Sequence, residues 1–142
     1  MRIIYTTAIL LLLAGAGLAK SPADKDIPPF PPSLRNAQYV YVTSYDGDQF
    51  NPAVLPQDRQ AIASVQDAVE KWGKWTVVYK PEQADVVLMV MSRPSEDLLA
   101  LYDAHGWPNN DFLWRMSAHE GLQKSETPLV TQLRKAFEKT AK

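Results

Sequence analysis

Two histidines carry most of the chemistry this sequence could perform. His105 and His119 lie with Asp103, Asp111 and Glu120 inside YDAHGWPNNDFLWRMSAHE. Imidazoles and carboxylates in one stretch suggest a metal site or an acid–base pair. LLALYD (98–103) and FLWRMS (112–117) read as the two strands of a hairpin, with His105 in its tip and His119 just past the far end of the second strand. At ~3.3 Å per residue that separates the imidazoles by roughly 17 Å, whereas one metal holds each at ~2.1 Å. A different strand pairing would be needed to join them, so no metal ligand set is assigned. Asp103 and His105 remain as a local pair, with Asp111 on the same loop. The plainer reading of this pair is solvated surface charge.

Other candidates are thinner. Asp46-Gly47-Asp48 with Asn51 has calcium-loop residue types but lacks a third acidic position and the bidentate Glu, and a turn after a strand needs the same residues. There is no cysteine for a thiol mechanism, no G-x-S-x-G elbow and no glycine-rich phosphate loop. Asp85 stands before an apolar run, where burial could raise its pKa, although capping the corner is the simpler role. Trp107, in GWPNN, either offers a rigid contact to a partner protein or a sugar, or folds back to close the hairpin over the sheet. No catalytic residue, cofactor or metal is assigned. The binding candidates are Trp107, His105, Asp103 and Asp111.

The elements that must position these residues are legible. QYVYVTS (38–44) is rich in β-formers and stops at YDGDQFNP. From Pro56 to Trp72 the period becomes helical: Ile62, Val65, Val69 and Trp72 make one stripe with Ala61 and Ala68 beside it. Pro56 suits the first helical position, Asp58 the positive end of the helix dipole, and Gly73 the left-handed position after the last turn. Trp75 to Lys80 alternate as a strand, and PEQAD makes a corner. VVLMVM (86–91) is apolar on both faces, as an interior strand is. Thr127-Pro128 opens a last helix whose stripe is Leu129, Val130, Leu133, Ala136 and Phe137. The expected fold is α+β: a two-layer sandwich of order β-α-β-β-β-β-α, with two helices on one face of a mixed or antiparallel sheet.

The ends and the charge bound the setting. Met1-Arg2, an apolar run and the small residues Gly17 and Ala19 read as a signal peptide cleaved after Ala19, which gives a periplasmic or secreted protein. The run from Ile3 to Ala19 is at the lower edge of a spanning length, and no basic stop-transfer cluster follows, so no stable membrane anchor is expected. Without its leader the chain has 14 Lys+Arg against 16 Asp+Glu, a net charge near −2 that offers nothing to nucleic acid. Residues 20–36, with five prolines, read as an extended polyproline II linker, and 37–142 as a single domain.

The helix, then W-G-K-W-T-V-V, then A-D-V-V-L-M-V resembles a recurring bacterial envelope pattern. The amino-terminal domain of TolB, the curli secretion lipoprotein and several uncharacterised secreted families share it in outline. The later L-Y-D and L-W-R strands and the last helix are similar to the uncharacterised secreted α+β families in particular. The resemblance covers roughly residues 55–140 and implies a domain that acts through protein contacts, with another envelope protein or with itself as partner. No functional residue carries over from it. The chain lacks the lipid-anchoring cysteine of the lipoprotein members and the propeller of TolB. The reading is an exported, non-catalytic binding or adaptor domain. The alternative is a metal-dependent or other hydrolase using the Asp103/His105/Asp111 loop.

Overall fold

The computed structural model describes residues 26–122 and 127–140. The proposed leader and its cleavage site lie outside the described residues. Five strands form one mixed sheet in the order β2-β1-β3-β4-β5. They are β1 (Tyr39–Ser44), β2 (Thr76–Val78), β3 (Val86–Ser92), β4 (Asp97–Asp103) and β5 (Trp114–Ala118). Helix α1 (Pro56–Trp72) joins β1 to β2, and α2 (Pro128–Thr140) follows β5. β1 runs parallel to both β2 and β3, while β3–β4 and β4–β5 are antiparallel. The expected α+β order and the one-sided helix layer are what the chain forms.

The local reasons are those the sequence carries. Pro56 opens α1, Asp58 lies in its first turn, and Gly73 ends it in a left-handed conformation (φ 81°), its N–H donating to the carbonyl of Val69. Ala61, Ile62, Val65 and Val69 of α1, and Leu129, Val130, Leu133, Ala136 and Phe137 of α2, pack on Val40, Val42, Val86, Leu88, Val90, Leu99, Leu101 and Trp114. β3 is interior and buried along nearly all its length, which its two-faced apolar sequence requires. The strand expected from Trp75 to Lys80 is shorter. β2 holds only Thr76–Val78, because Pro81 starts a short 3-10 turn at Pro81–Gln83 and cannot donate to a ladder.

The proline-rich stretch does not stand off as a spacer. Ile27, Phe30 and Leu34 belong to the main core, with Phe30 only 1% exposed, and Pro32–Leu34 form a 3-10 turn. The Phe30 ring lies 5.0 Å from Phe137 and 6.2 Å from Trp75, and the Trp114 indole donates to the carbonyl of Pro28 at 2.9 Å. Prolines lack the N–H that an irregular segment must otherwise satisfy, so such a stretch lies on an apolar core with few orphan donors. The interleaved Ile, Phe and Leu supply the burial, and the core therefore begins about ten residues before β1.

A polar network locks α1 to the far end of the sheet. Asp58, 0% exposed, accepts from the backbone N–H of Ser92 at 2.8 Å and pairs with Arg93 at 3.0 Å. The Ser92 hydroxyl donates to the buried Asp97 carboxylate, which also accepts from the Leu122 N–H. Asp58 was expected only as a helix-dipole residue. Its larger role depends on β3 ending beneath the first turn of α1.

Candidate functional site

The hairpin loop holds together through its own bonds. Asp103 Oδ1 accepts from the backbone N–H of His105 at 2.9 Å and contacts the ring Nδ1 at 2.9 Å, which caps the 3-10 turn Ala104–Gly106. Those bonds, the backbone N–H first and the imidazole second, hold the Asp103 carboxyl below the usual carboxylate range. Asn110 tucks beneath the turn and donates to the Asp103 carbonyl at 2.9 Å. The Trp107–Pro108 peptide is cis.

Asp103 and His105 share an open cleft of about 200 Å³ with Ser33, Leu34, Asn36, Ala37 and Asp85. Asp85 is committed to lacing strands together. Its carboxylate accepts from the N–H groups of Gln38 and Tyr39, its own N–H donates to the Tyr39 carbonyl, and its carbonyl accepts from Ala104. It caps the starts of β1 and β3 at once. Ser33 lines the same cleft, but among the described residues no hydrogen bond joins it to His105. Asp111 is exposed and does not line the cleft. The pairing register Asp97↔Ala118 and Leu101↔Trp114 puts His119 and His105 at opposite ends of the hairpin, with His119 beside the Ser95 carbonyl. The cleft thus brings together Asp103, His105 and Asp85, and leaves Asp111 and His119 apart.

Trp107 turns back over the sheet face that carries no helix. It is half-buried, its ring 4.7 Å from that of Tyr102 in an edge-to-face contact. There it bridges two small apolar clusters, one of Tyr41, Ala84 and Val87, the other of Met89, Leu98 and Ala100. Pairing fixes this face: Tyr41 lies opposite Val78 and Val87, Val87 opposite Tyr102, Met89 opposite Ala100, and Ala100 opposite Arg115. No helix is needed to bury its middle, because the long side chains around Val87 and Ala100 shield them.

Exposed aromatics stand in the loops at the ends and edges of the sheet. Tyr45 is 71% and Phe50 69% exposed in the loop after β1, Tyr79 follows β2, and Phe112 precedes β5. Phe50 and Tyr79 meet edge to face at 6.5 Å, and the Arg115 guanidinium lies 5.7 Å from the Phe112 ring centre. The Asp46-Gly47-Asp48 turn commits its second carboxylate to its neighbours. Asp48 accepts from the Tyr41 hydroxyl at 2.6 Å and from the Phe50 N–H at 3.0 Å. Gly47 has φ 134°, and a Cβ there would meet Asn51 at 2.6 Å, so the turn requires glycine. Burial first, and then donation to Asp48, push the Tyr41 phenol up to about 12. Burial also raises Tyr102.

Reading loop by loop points to Trp107 but misses this surface, since its aromatics come from four separate segments. The one sequence signal is the alternation of Tyr39 and Tyr41 with Val40 and Val42 in β1, which puts tyrosine on one face and valine on the other.

No helix among the described residues is long and apolar enough to cross a membrane. No family model and no curated protein matches the chain. Among solved structures it is similar to a variant of the PelC dodecamer from Paraburkholderia phytofirmans, at 15% identity and a TM-score of 0.43, covering 78% of this chain and 93% of that one. It is also similar to the uncharacterised lipoprotein B from Nitrosomonas europaea, at 16% identity and a TM-score of 0.35, covering 79% and 81%. These likenesses single out neither the amino-terminal domain of TolB nor the curli secretion lipoprotein.

Proposed function

We propose that this chain is an exported, non-catalytic binding or adaptor domain of the bacterial envelope that meets a protein partner through its helix-free sheet face. The observation that carries the reading is the half-buried Trp107–Tyr102 pair on that face, with the exposed rings of Tyr45 and Phe112 at the ends of β1 and β5. Exposed aromatics gathered on one face are what a recognition surface needs, because they bring large area with few rotatable bonds. The export step rests on the leader read in residues 1–19.

The test is in-cell crosslinking of the tagged chain, unaltered and with Tyr45→Ser plus Phe112→Ser. The expected result is a reproducible adduct that the double variant loses while its circular dichroism spectrum is unchanged. Adducts of equal yield from both proteins would remove this face from the proposal.

A second reading, a hydrolase using the Asp103–His105 pair of this loop without Asp111, which stands apart from the cleft, draws on the 2.9 Å contact between the two. Its residues would act as an acid–base pair, with Asp103 fixing the tautomer of His105. The same purified chain would then turn over an ester or phosphoester panel and lose that activity in His105→Ala. No turnover, with unaltered melting in chelator, would eliminate it.

A further inference from the structure

We infer that the loop 45–55 is a preorganised recognition loop whose Phe50 ring enters an apolar pocket of another protein. Arg59 is its positioning residue. The inference rests on the binding reading above, since Tyr45 belongs to this loop, and adds a contact which that reading does not contain. The loop joins β1 to α1 and puts two rings, Tyr45 and Phe50, into solvent. Its backbone is tied down from several sides. Arg59, near the start of α1, donates to the Gln49 carbonyl and to those of Asn51 at 3.1 Å and Val54 at 3.3 Å. Asn51 donates to the Asp46 carbonyl at 3.2 Å and accepts from the Ala53 N–H at 2.9 Å. Asp48 accepts from both the Phe50 N–H and the hydroxyl of Tyr41, which belongs to β1. Val54, 4% exposed, pins the far end.

Such bracing is more than a connection needs. Holding each residue in one conformation costs roughly 1–2 kcal/mol, and loops that only join elements are the least ordered parts of a fold. A slack loop would also let its rings settle on nearby apolar surface, as Trp107 does against Tyr102. Here the carbonyl clamp of Arg59 keeps the Phe50 ring outward, with Tyr79 edge to face at 6.5 Å. Order established before the encounter removes that cost from association, and a rigid aromatic then makes a strong anchor. Between 45 and 55 the charges are Asp46 and Asp48 alone, and the Arg59 guanidinium is occupied by carbonyls. Lys80, next to Tyr79 in the chain, offsets one of the two. That balance does not suit an anionic bilayer, so the ring is fitted to a protein pocket.

The experiment uses the full chain in cells with a benzophenone photocrosslinker as probe, Phe50→p-benzoylphenylalanine in one version and Phe112→p-benzoylphenylalanine in another. Position 50 is expected to give a dominant adduct with another protein. Arg59→Met should cut that yield at least roughly fivefold and leave the position-112 yield within about twofold, because only the loop loses its order. Asn51→Ala removes two other braces and should act in the same direction. It decides the matter if Arg59→Met alters the circular dichroism spectrum. Yields at 50 and 112 that fall together would overturn the positioning role, since a purely structural brace lowers both. An unchanged yield at 50 in both variants would overturn it as well. An adduct at 112 without one at 50 would overturn the loop inference and leave the sheet-face reading standing. Absence of adducts at both positions overturns both. An adduct made only of this chain would name a second copy as the occupant. Cosedimentation with phosphatidylglycerol vesicles that Phe50→Ser abolishes would name a bilayer. Either result overturns the protein-pocket inference.

Discussion

The two faces of the sheet bury similar residues by different means. On the covered face, Val40, Leu88 and Leu101 vanish under two helices and the proline-rich segment. On the other, Val87 and Ala100 are just as inaccessible, but the cover is a handful of tyrosine, methionine and tryptophan side chains. A helix layer is part of the cooperative core and tolerates little. A cover made of single side chains can shift or be extended by a partner with small loss to the fold. The difference separates the face that carries the main core from the face proposed to meet a partner.

The largest effects are expected on the covered side. Asp58→Ala would leave Arg93 and the Ser92 N–H facing an emptied buried site, and should lower unfolding free energy by roughly 3–5 kcal/mol in urea titration. Phe30→Ala should remove about 3–4 kcal/mol by opening a cavity among Trp75, Phe137 and Leu34. A loss under about 1 kcal/mol would restore the spacer reading of the proline stretch.

Trp107→Ala tests the other side and should fall between these limits, at roughly 1–2 kcal/mol, because the ring is half-buried. A value matching Phe30→Ala would erase the contrast between the faces.

Two titrations sharpen it further. Tyr41 is raised in the folded chain, so its neutral form is favoured. Its contribution to stability is whole below pH 10 and is lost as pH rises toward about 12. Ultraviolet absorbance should show Tyr41 and Tyr102 ionising later than the exposed phenols, and Asp48→Asn should bring the Tyr41 ionisation earlier. Asp103 has the opposite sense. Its depressed carboxyl contributes above the ordinary carboxylate range, and the contribution fades as pH falls through the folded-state value. Asp103→Asn should therefore flatten the acid limb of the stability profile slightly. The smallest change is expected from Phe112→Ser, within about 0.5 kcal/mol of the parent in melting, since its ring is exposed.

The sequence by itself determined the elements and the covered face. The stripe Ile62–Val65–Val69, the Gly73 stop and the apolar run Val86–Met91 each encode one element, because helical and strand periods are local properties of the chain. It also supplied the hairpin that brings Asp103 and His105 to one loop. Tertiary structure alone decided the rest. Phe30 reads as linker until the core offers it Trp75 and Phe137. Asp58 reads as a dipole partner until β3 ends beside it. The aromatic cover of the second face exists only once pairing register sets Tyr41 and Tyr102 on either side of Val87. Contacts between segments distant in sequence have no period to betray them. They follow from which strands pair and in what register, and hydrogen bonds across the sheet decide that.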